Sequence, residues 1–115
     1  MILKNKNILV TDGGNGIGYS TILELIEEEA FVYTIVRSKK DLKKYKNSKN
    51  LKVFIGDVNN PKLIDRIFNL STKQSKIING IVNNAGIMQR IKFNKISKKS
   101  INNIFQTNFF SIFYI

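Results

Sequence analysis

Residues 11–18 read TDGGNGIG, and this glycine-rich run decides the fold. It follows a short apolar stretch, NILVT at Asn7–Thr11, and opens an amphipathic stretch from Ile17 to Glu28. Glycines at a turn from strand to helix let the backbone approach a pyrophosphate, whose charge meets free amides and the helix dipole. The run therefore predicts a phosphate-binding turn, although Tyr19 stands where the general pattern GxGxxG would have its third glycine.

Short β-branched runs and longer amphipathic stretches alternate along the rest of the chain, which favours parallel strands joined by helices. Further strands are predicted at Phe31–Val36, Leu51–Ile55 and Ile77–Val82. Further helices are predicted at Lys39–Lys46, from Pro61 to about Ser71, and from Ser97 onward. The pattern indicates one α/β domain over residues 1–115.

The composition excludes several kinds of function. The chain has no cysteine and no histidine, so the usual thiolate and imidazole ligands are missing and we predict no metal site. No apolar run approaches the length of a membrane span, and the first residues do not resemble a signal peptide, so we expect a cytoplasmic protein without a membrane partner. The net charge of +11 would suit a nucleic acid, but lysine outnumbers arginine 16 to 3 and is scattered, so we predict no nucleic-acid partner.

Two motifs resemble, in the same order, those of the short-chain dehydrogenase/reductase family. The run at residues 11–18 resembles the family's TGxxxGxG motif, and NNAG at residues 83–86, after the fourth predicted strand, matches the second motif. Asp57-Val58 resembles the family's pair beside the adenine ring, and Asn108 falls where a helix asparagine holds a water of the proton relay. The resemblance covers essentially the whole chain. It implies a partial Rossmann-like, doubly wound parallel sheet of about four strands, in the order 3-2-1-4, with flanking helices.

The resemblance also implies which residues bind a dinucleotide cofactor and which reaction they serve. The cofactor-binding residues would be Asp12, Gly13, Gly14, Asn15, Gly16, Ile17, Gly18, Arg37, Asp57, Val58, Asn83, Ala85 and Gly86. Asn108 would be the catalytic residue present in this sequence. The implied reaction is NAD(P)-dependent hydride transfer between the nicotinamide and a small-molecule carbonyl or secondary alcohol.

The cofactor preference depends on the residues after the second predicted strand. An acid there would bind the ribose 2′-hydroxyl of NAD, whereas a base would pair with the 2′-phosphate of NADP. The sequence at residues 36–39 is VRSK, which contains no acid. Because a guanidinium binds phosphate through two hydrogen bonds, Arg37 predicts that NADP is preferred over NAD. The alternative is that Arg37 is only a solvated residue after a strand.

Two departures from the family pattern bear on binding and stability. Asp12 replaces the first glycine of the motif and places a β-carbon and a negative charge beside the pyrophosphate. We expect weaker cofactor binding, although aspartate tolerates left-handed backbone better than most residues. Glu29 stands where a glycine usually follows the first helix. We expect the helix to lose the stabilisation of about 1 kcal/mol that a glycine gives to its C-terminal end.

The family's catalytic Tyr-x-x-x-Lys pair does not follow the fourth predicted strand in this sequence. A matching stretch, YKNSK at residues 45–49, lies between the second and third strands and is interpreted as a chance match. An apolar run containing Phe109, Phe110 and Phe113 extends to Ile115. We therefore expect an N-terminal fragment of a dehydrogenase, inactive alone, that forms a homo-oligomer through its C-terminal helix. The alternative is a non-catalytic nucleotide-binding or interaction module.

Overall fold

The computed structural model describes residues 2–45 and 48–115. Its parallel sheet contains four strands: β1 (Asn7–Thr11), β2 (Phe31–Val36), β3 (Leu51–Ile55) and β4 (Gly80–Val82). Their spatial order is β3-β2-β1-β4, so the chain moves outward to β3 and then crosses back to add β4 beside β1. This order confirms the predicted α/β sheet with the arrangement 3-2-1-4.

Helices connect the strands on both sides. Within the described residues the α-helices are α1 (Gly16–Glu27), α2 (Pro61–Lys73) and α3 (Lys98–Asn108), and shorter 3₁₀ helices span Lys39–Lys44, Phe93–Lys95 and Phe110–Tyr114. The helix predicted at Lys39–Lys46 is thus a 3₁₀ helix, and Lys46 and Asn47 lie outside the described residues. In the part of the chain that the structure describes, no helix is both long and apolar enough to cross a bilayer.

The two faces of the sheet bury separate cores, because alternate side chains of a strand point to opposite faces. The core on the α2 side comprises Leu9, Tyr33, Ile35, Phe54, Leu63, Ile64 and Ile67. The core on the α1 side comprises Ile8, Val10, Ile22, Ala30 and Val32. The neighbours Leu9 and Val10 of β1 therefore belong to different cores, and the sheet is covered on both faces as a doubly wound fold requires.

The end of α1 corrects one expectation about stability. Glu29 has φ 60°, in the left-handed region that favours glycine, and its amide donates to the Ile26 carbonyl at 3.0 Å. The Ala30 amide donates to the Leu25 carbonyl at 3.0 Å, which completes the hydrogen-bond pattern of a glycine-type helix stop. The expected loss of the stop is therefore wrong. The chain keeps it with a non-glycine residue in a strained conformation, and the Glu29 carboxylate pairs with Lys4 at 2.9 Å.

Two predicted elements are shorter than their apolar patterns indicate, and asparagine side chains explain both. β4 begins at Gly80 rather than at Ile77. Before β4, Oδ1 of Asn79 accepts a hydrogen bond from the backbone N–H of Asn7, and Nδ2 of Asn7 donates to the Ile77 carbonyl, both at 2.9 Å. Each of these bonds uses a side chain in place of one of the two backbones that a strand ladder would pair. α3 ends at Asn108, whose side chain is bonded to the segment after β4, and the chain continues as a 3₁₀ turn.

Candidate functional site

A cavity of about 310 Å³ lies at the carboxyl ends of the strands, where ligands bind in open parallel sheets. Its lining residues are Asp12, Ile35, Arg37, Gly56, Asp57, Val58, Asn59, Ala85, Gly86, Ile87, Asn103, Gln106 and Thr107. Six residues predicted to bind the cofactor are among them: Asp12, Arg37, Asp57, Val58, Ala85 and Gly86. Asn83, also predicted, is exposed and does not line this cavity.

The glycine-rich turn is packed on its protein side and open on the other. A β-carbon on Gly18 would overlap the main-chain oxygen of Asp12 and would lie 2.5 Å from Nδ2 of Asn84. Gly16 has φ +54°, and no described atom outside its immediate neighbours lies within 4 Å of the position that its β-carbon would take. A ligand can therefore approach the backbone at Gly16, while Gly18 keeps α1 against the end of β1.

The N-terminus of α1 provides amides for an anion. Asn15 occupies the N-cap position, but its side chain makes no capping hydrogen bond within the described residues. The first turn of α1, beginning at Gly16, contains no acidic residue, and the Ile17 side chain that follows is 79% exposed. Because the first amides of a helix lack helical partners and carry partial positive charge, this end of α1 can hold phosphate oxygens.

Thr11 and Asn84 tie the two sequence motifs together. The buried Thr11 hydroxyl oxygen accepts hydrogen bonds from the amides of Asn84 at 3.0 Å and Ala85 at 2.8 Å. Nδ2 of Asn84 donates to the carbonyls of Thr11 at 3.1 Å and Asp12 at 3.0 Å. These bonds hold the glycine turn at a fixed distance from the segment after β4. The prediction of site residues omitted both side chains, although each belongs to one of the two motifs.

Asn108 is not among the residues that line the cavity, but its side chain is bonded to the backbone of Ile87, which does line it. Its Oδ1 accepts from the Ile87 amide at 2.7 Å and its Nδ2 donates to the Ile87 carbonyl at 2.9 Å. A β-carbon on Gly86 would lie 3.6 Å from the same Oδ1. The amide of Asn108 therefore positions the segment after β4, and any water that it held would share an atom already used by Ile87.

The 3₁₀ segment after β2 covers the glycine turn, which the sequence did not predict. The Tyr45 hydroxyl donates to the Gly13 carbonyl, and Nζ of Lys44 donates to the Gly14 carbonyl at 2.6 Å. Burial, aided by nearby ionisable side chains, raises the pKa of Tyr45 to about 12. A general acid–base needs a pKa near the working pH, so this environment supports the interpretation of YKNSK as a chance match. Two residues of that stretch, Lys46 and Asn47, lie outside the described residues.

An ion pair joins the ends of β1 and β2 at the cavity wall. Nη2 of Arg37 lies 4.0 Å from Oδ2 of Asp12, with the Arg37 side chain 64% exposed and that of Asp12 27% exposed. Asp12 has φ 55°, in the left-handed region that favours glycine and that aspartate tolerates better than most residues. The residue that departs from the motif and the residue predicted to select the cofactor are thus direct neighbours.

The sheet order and the glycine turn after β1 define an α/β protein with a Rossmann-type sheet. The family model described as short chain dehydrogenase matches residues 6–115. The chain therefore belongs to the short-chain dehydrogenase family of oxidoreductases.

Similar proteins support this assignment. An uncharacterized oxidoreductase of Saccharomyces cerevisiae is 31% identical over 112 residues, which cover 93% of this chain and 44% of that protein. Its crystal structure matches with a TM-score of 0.83 and 30% identity over 95% of this chain and 45% of that one.

Two further solved structures share the fold at lower identity. A short-chain dehydrogenase of Leptospira borgpetersenii with bound NAD+ has a TM-score of 0.85 and 23% identity over 97% of this chain and 43% of that one. A variant of ElxO with NADPH bound has a TM-score of 0.81 and 24% identity over 95% of this chain and 46% of that one. The chain spans less than half the length of each of these relatives.

Proposed function

We propose that this chain binds a nicotinamide dinucleotide and forms the cofactor-binding part of an oxidoreductase. The reaction would be hydride transfer between the nicotinamide and a small-molecule carbonyl or secondary alcohol. The observation that carries the proposal is the pairing of an uncapped helix N-terminus with a cavity at the strand ends. The first suits a pyrophosphate and the second suits an adenosine, as in other doubly wound nucleotide-binding sheets.

The residues present fit the adenosine half of such a cofactor. Val58, Ala85 and Gly86 supply a flat, largely apolar part of the cavity wall, which suits the faces of a purine ring. Asp57 lies on the same wall, and its Oδ1 accepts from the Asn59 amide at 2.8 Å, which leaves its second oxygen to accept from an exocyclic amine. The Gly16 region, open to a ligand, would hold the pyrophosphate through its amides.

We further propose that NADP is preferred over NAD. The fold itself accommodates both, because similar structures are known with NAD+ and with NADPH. The preference therefore rests on Arg37, which lines the cavity with its guanidinium largely exposed and can form two charge-assisted hydrogen bonds with a 2′-phosphate.

When bound, the dinucleotide supplies the carbon that carries the hydride. Around it, this chain's residues bind and orient: the glycine turn holds phosphates, the cavity holds the adenosine, and Asn108 keeps the backbone at Ile87 in place. Asn108 is proposed to contribute to proton transfer by orienting a water. It has no titratable proton near neutral pH, so the acid–base group of the family reaction must be another residue.

Calorimetric titration with NADPH and NADH tests the proposal. We expect NADPH to bind more tightly, and Arg37→Asp to weaken NADPH binding by roughly tenfold or more while changing NADH binding much less. Arg66→Asp is the matched control, because it changes the net charge equally on α2, outside this cavity. Equal affinities that Arg37→Asp leaves unchanged would remove Arg37 from the site, and no binding of either dinucleotide would refute the proposed function.

A further inference from the structure

We propose that Asp12 is a specificity-determining residue, whose carboxylate competes with a 2′-phosphate for the Arg37 guanidinium and thereby limits the preference for phosphorylated cofactors. This inference rests on the proposed dinucleotide site. Asp12, which replaces the first glycine of the motif, would then influence the choice between the two cofactors as well as crowding the pyrophosphate. The carrying observation is the 4.0 Å separation of the two side chains on one cavity wall.

The backbone holds the Asp12 carboxylate at this place. On one side Thr11 is buried and bonded to the amides of the NNAG segment, and the Asp12 carbonyl accepts from Nδ2 of Asn84 at 3.0 Å. On the other side the Gly13 amide donates to the Ile35 carbonyl at 3.1 Å. The main chain cannot shift without losing these bonds, so only side-chain rotation can take the charge away from Arg37.

The balance of charge in the cavity makes the competition effective. Among the described lining residues, Arg37 is the single base, and Asp12 and Asp57 are the two acids. One oxygen of Asp57 is occupied by the Asn59 amide at 2.8 Å, whereas the described partner of the Asp12 carboxylate is Arg37 itself. Asp12 is therefore the acid in this cavity that opposes an incoming phosphate at the guanidinium.

The two kinds of cofactor would meet this pair differently. A 2′-phosphate would accept hydrogen bonds from the N–H groups at the edge of the Arg37 guanidinium. Its negative charge would then lie close to the Asp12 carboxylate, which repels it. A free 2′-hydroxyl carries no charge and can donate a hydrogen bond to that carboxylate. Removing the Asp12 charge should therefore favour the 2′-phosphorylated ligand over the ligand with a free 2′-hydroxyl.

Adenosine 2′,5′-bisphosphate and adenosine 5′-monophosphate are the probes, because they differ only in the 2′-phosphate. They are titrated into the wild-type chain, Asp12→Asn, Arg37→Gln and the double variant, with circular dichroism as a check of folding. Asparagine tolerates left-handed backbone as aspartate does, so Asp12→Asn removes charge without a new conformational demand. Asp65→Asn, on α2 outside the cavity, is the control for net charge.

We expect Asp12→Asn to tighten bisphosphate binding about three- to fivefold more than monophosphate binding, as befits a partly exposed pair, because any relief at the 5′-phosphate is common to both probes. This difference between the probes should vanish in the Arg37→Gln background. An equal gain for both probes, or a difference that persists without Arg37, would overturn the inference while leaving the dinucleotide site intact. If Asp12→Asn is misfolded, Asp12→Gly, which restores the family glycine, is measured with the same probes. Failure of every folded variant to bind either probe would overturn the proposed function and this inference together.

Discussion

The half of the sheet around β1 and β2 and the half around β4 and α3 differ sharply in how much they bury. The last four residues of β1 and the last five of β2 are buried, and both faces of these strands contribute to a core. The three residues of β4 are partly or largely exposed, and none of the eleven residues of α3 is buried. The half around β1 and β2 therefore has a core on both faces, whereas the half around β4 and α3 has few buried residues.

The polar groups show the same difference. Where the two halves meet, Thr11 and Asn84 hydrogen-bond to one another's backbone, and within the described residues no side chain caps the first amides of α1. In the half around β4 and α3, the side chain of Asn108 is used to hold Ile87, and large apolar rings such as Phe113 remain 69% exposed. These features agree with the ligand site proposed above. We propose that the exposed rings of the second half contact a second copy of the chain.

The sharpest test of this difference is catalysis. We expect the 115-residue chain to show no steady NADPH consumption with a carbonyl substrate, because a positioned acid–base contributes about 10²–10⁴-fold and the described lining of the cavity contains no tyrosine, lysine, histidine or cysteine. NADPH fluorescence followed over time, against a mock purification, measures it. Sustained turnover that Asn108→Ala abolishes and the mock sample lacks would mean that the poorly buried half contains an acid–base after all.

The next test compares one apolar side chain from each half. Leu9 of β1 is fully buried, so Leu9→Ala should lower the free energy of unfolding by about 2–5 kcal/mol, from lost burial and an unfilled cavity. Phe113→Ala removes a larger side chain that is 69% exposed and should change that free energy by less than about 1 kcal/mol. Urea unfolding monitored by circular dichroism gives both values.

The same pair separates stability from association. Size-exclusion chromatography should show that the wild-type chain forms an oligomer. Phe113→Ala should weaken this oligomer, whereas folded Leu9→Ala should not. A sharp wild-type monomer peak, or a Phe113→Ala loss as large as that of Leu9→Ala, would show that the two halves do not differ in the way their burial indicates.

Sequence patterns predicted the bounds of the first three strands to the residue and those of the helices and β4 only roughly. β1, β2 and β3 begin and end as predicted, because each is a short apolar run whose inward side chains enter one of the two cores or pack against it. β4 and α3 do not, because the ends of both are set by hydrogen bonds from Asn7, Asn79 and Asn108 to backbone distant in sequence. The spacing of apolar residues along the sequence does not predict such bonds.

The candidate site divides in the same way. Motif residues and Arg37 were predicted from local sequence, and six of them meet at one cavity, where their binding role stays a prediction. The contacts of Tyr45 and Lys44 with the glycine turn, and the ion pair of Asp12 with Arg37, join residues 25 to 32 positions apart. They were missed because each depends on how strand ends and a loop distant in sequence come together over the sheet, which a local sequence pattern does not reveal.

The smallest expected effect concerns the contact of Tyr45 with the glycine turn. Its pKa is raised to about 12 in the folded chain, from an ordinary value of 10.0. Between those values the unfolded chain has lost the phenolic proton and the folded chain still holds it, so stability is full below about pH 10 and falls as the pH rises towards 12. The free energy of unfolding of Tyr45→Phe should therefore fall less steeply with pH over this interval. At neutral pH it should be about 1 kcal/mol lower than that of the wild type, because the hydrogen bond to Gly13 is missing. Some alkaline loss should persist, because burial also raises the pKa of Tyr33.

Urea unfolding at a series of pH values measures the effect, and Tyr114→Phe is the matched control because that ring is 67% exposed. The Tyr114 variant should keep the wild-type slope. If Tyr45→Phe also keeps it, the phenol of Tyr45 does not hold its proton against the Gly13 carbonyl. The contact between Tyr45 and the glycine turn would then add little to stability. The difference between the two halves would rest only on the burial of their strands.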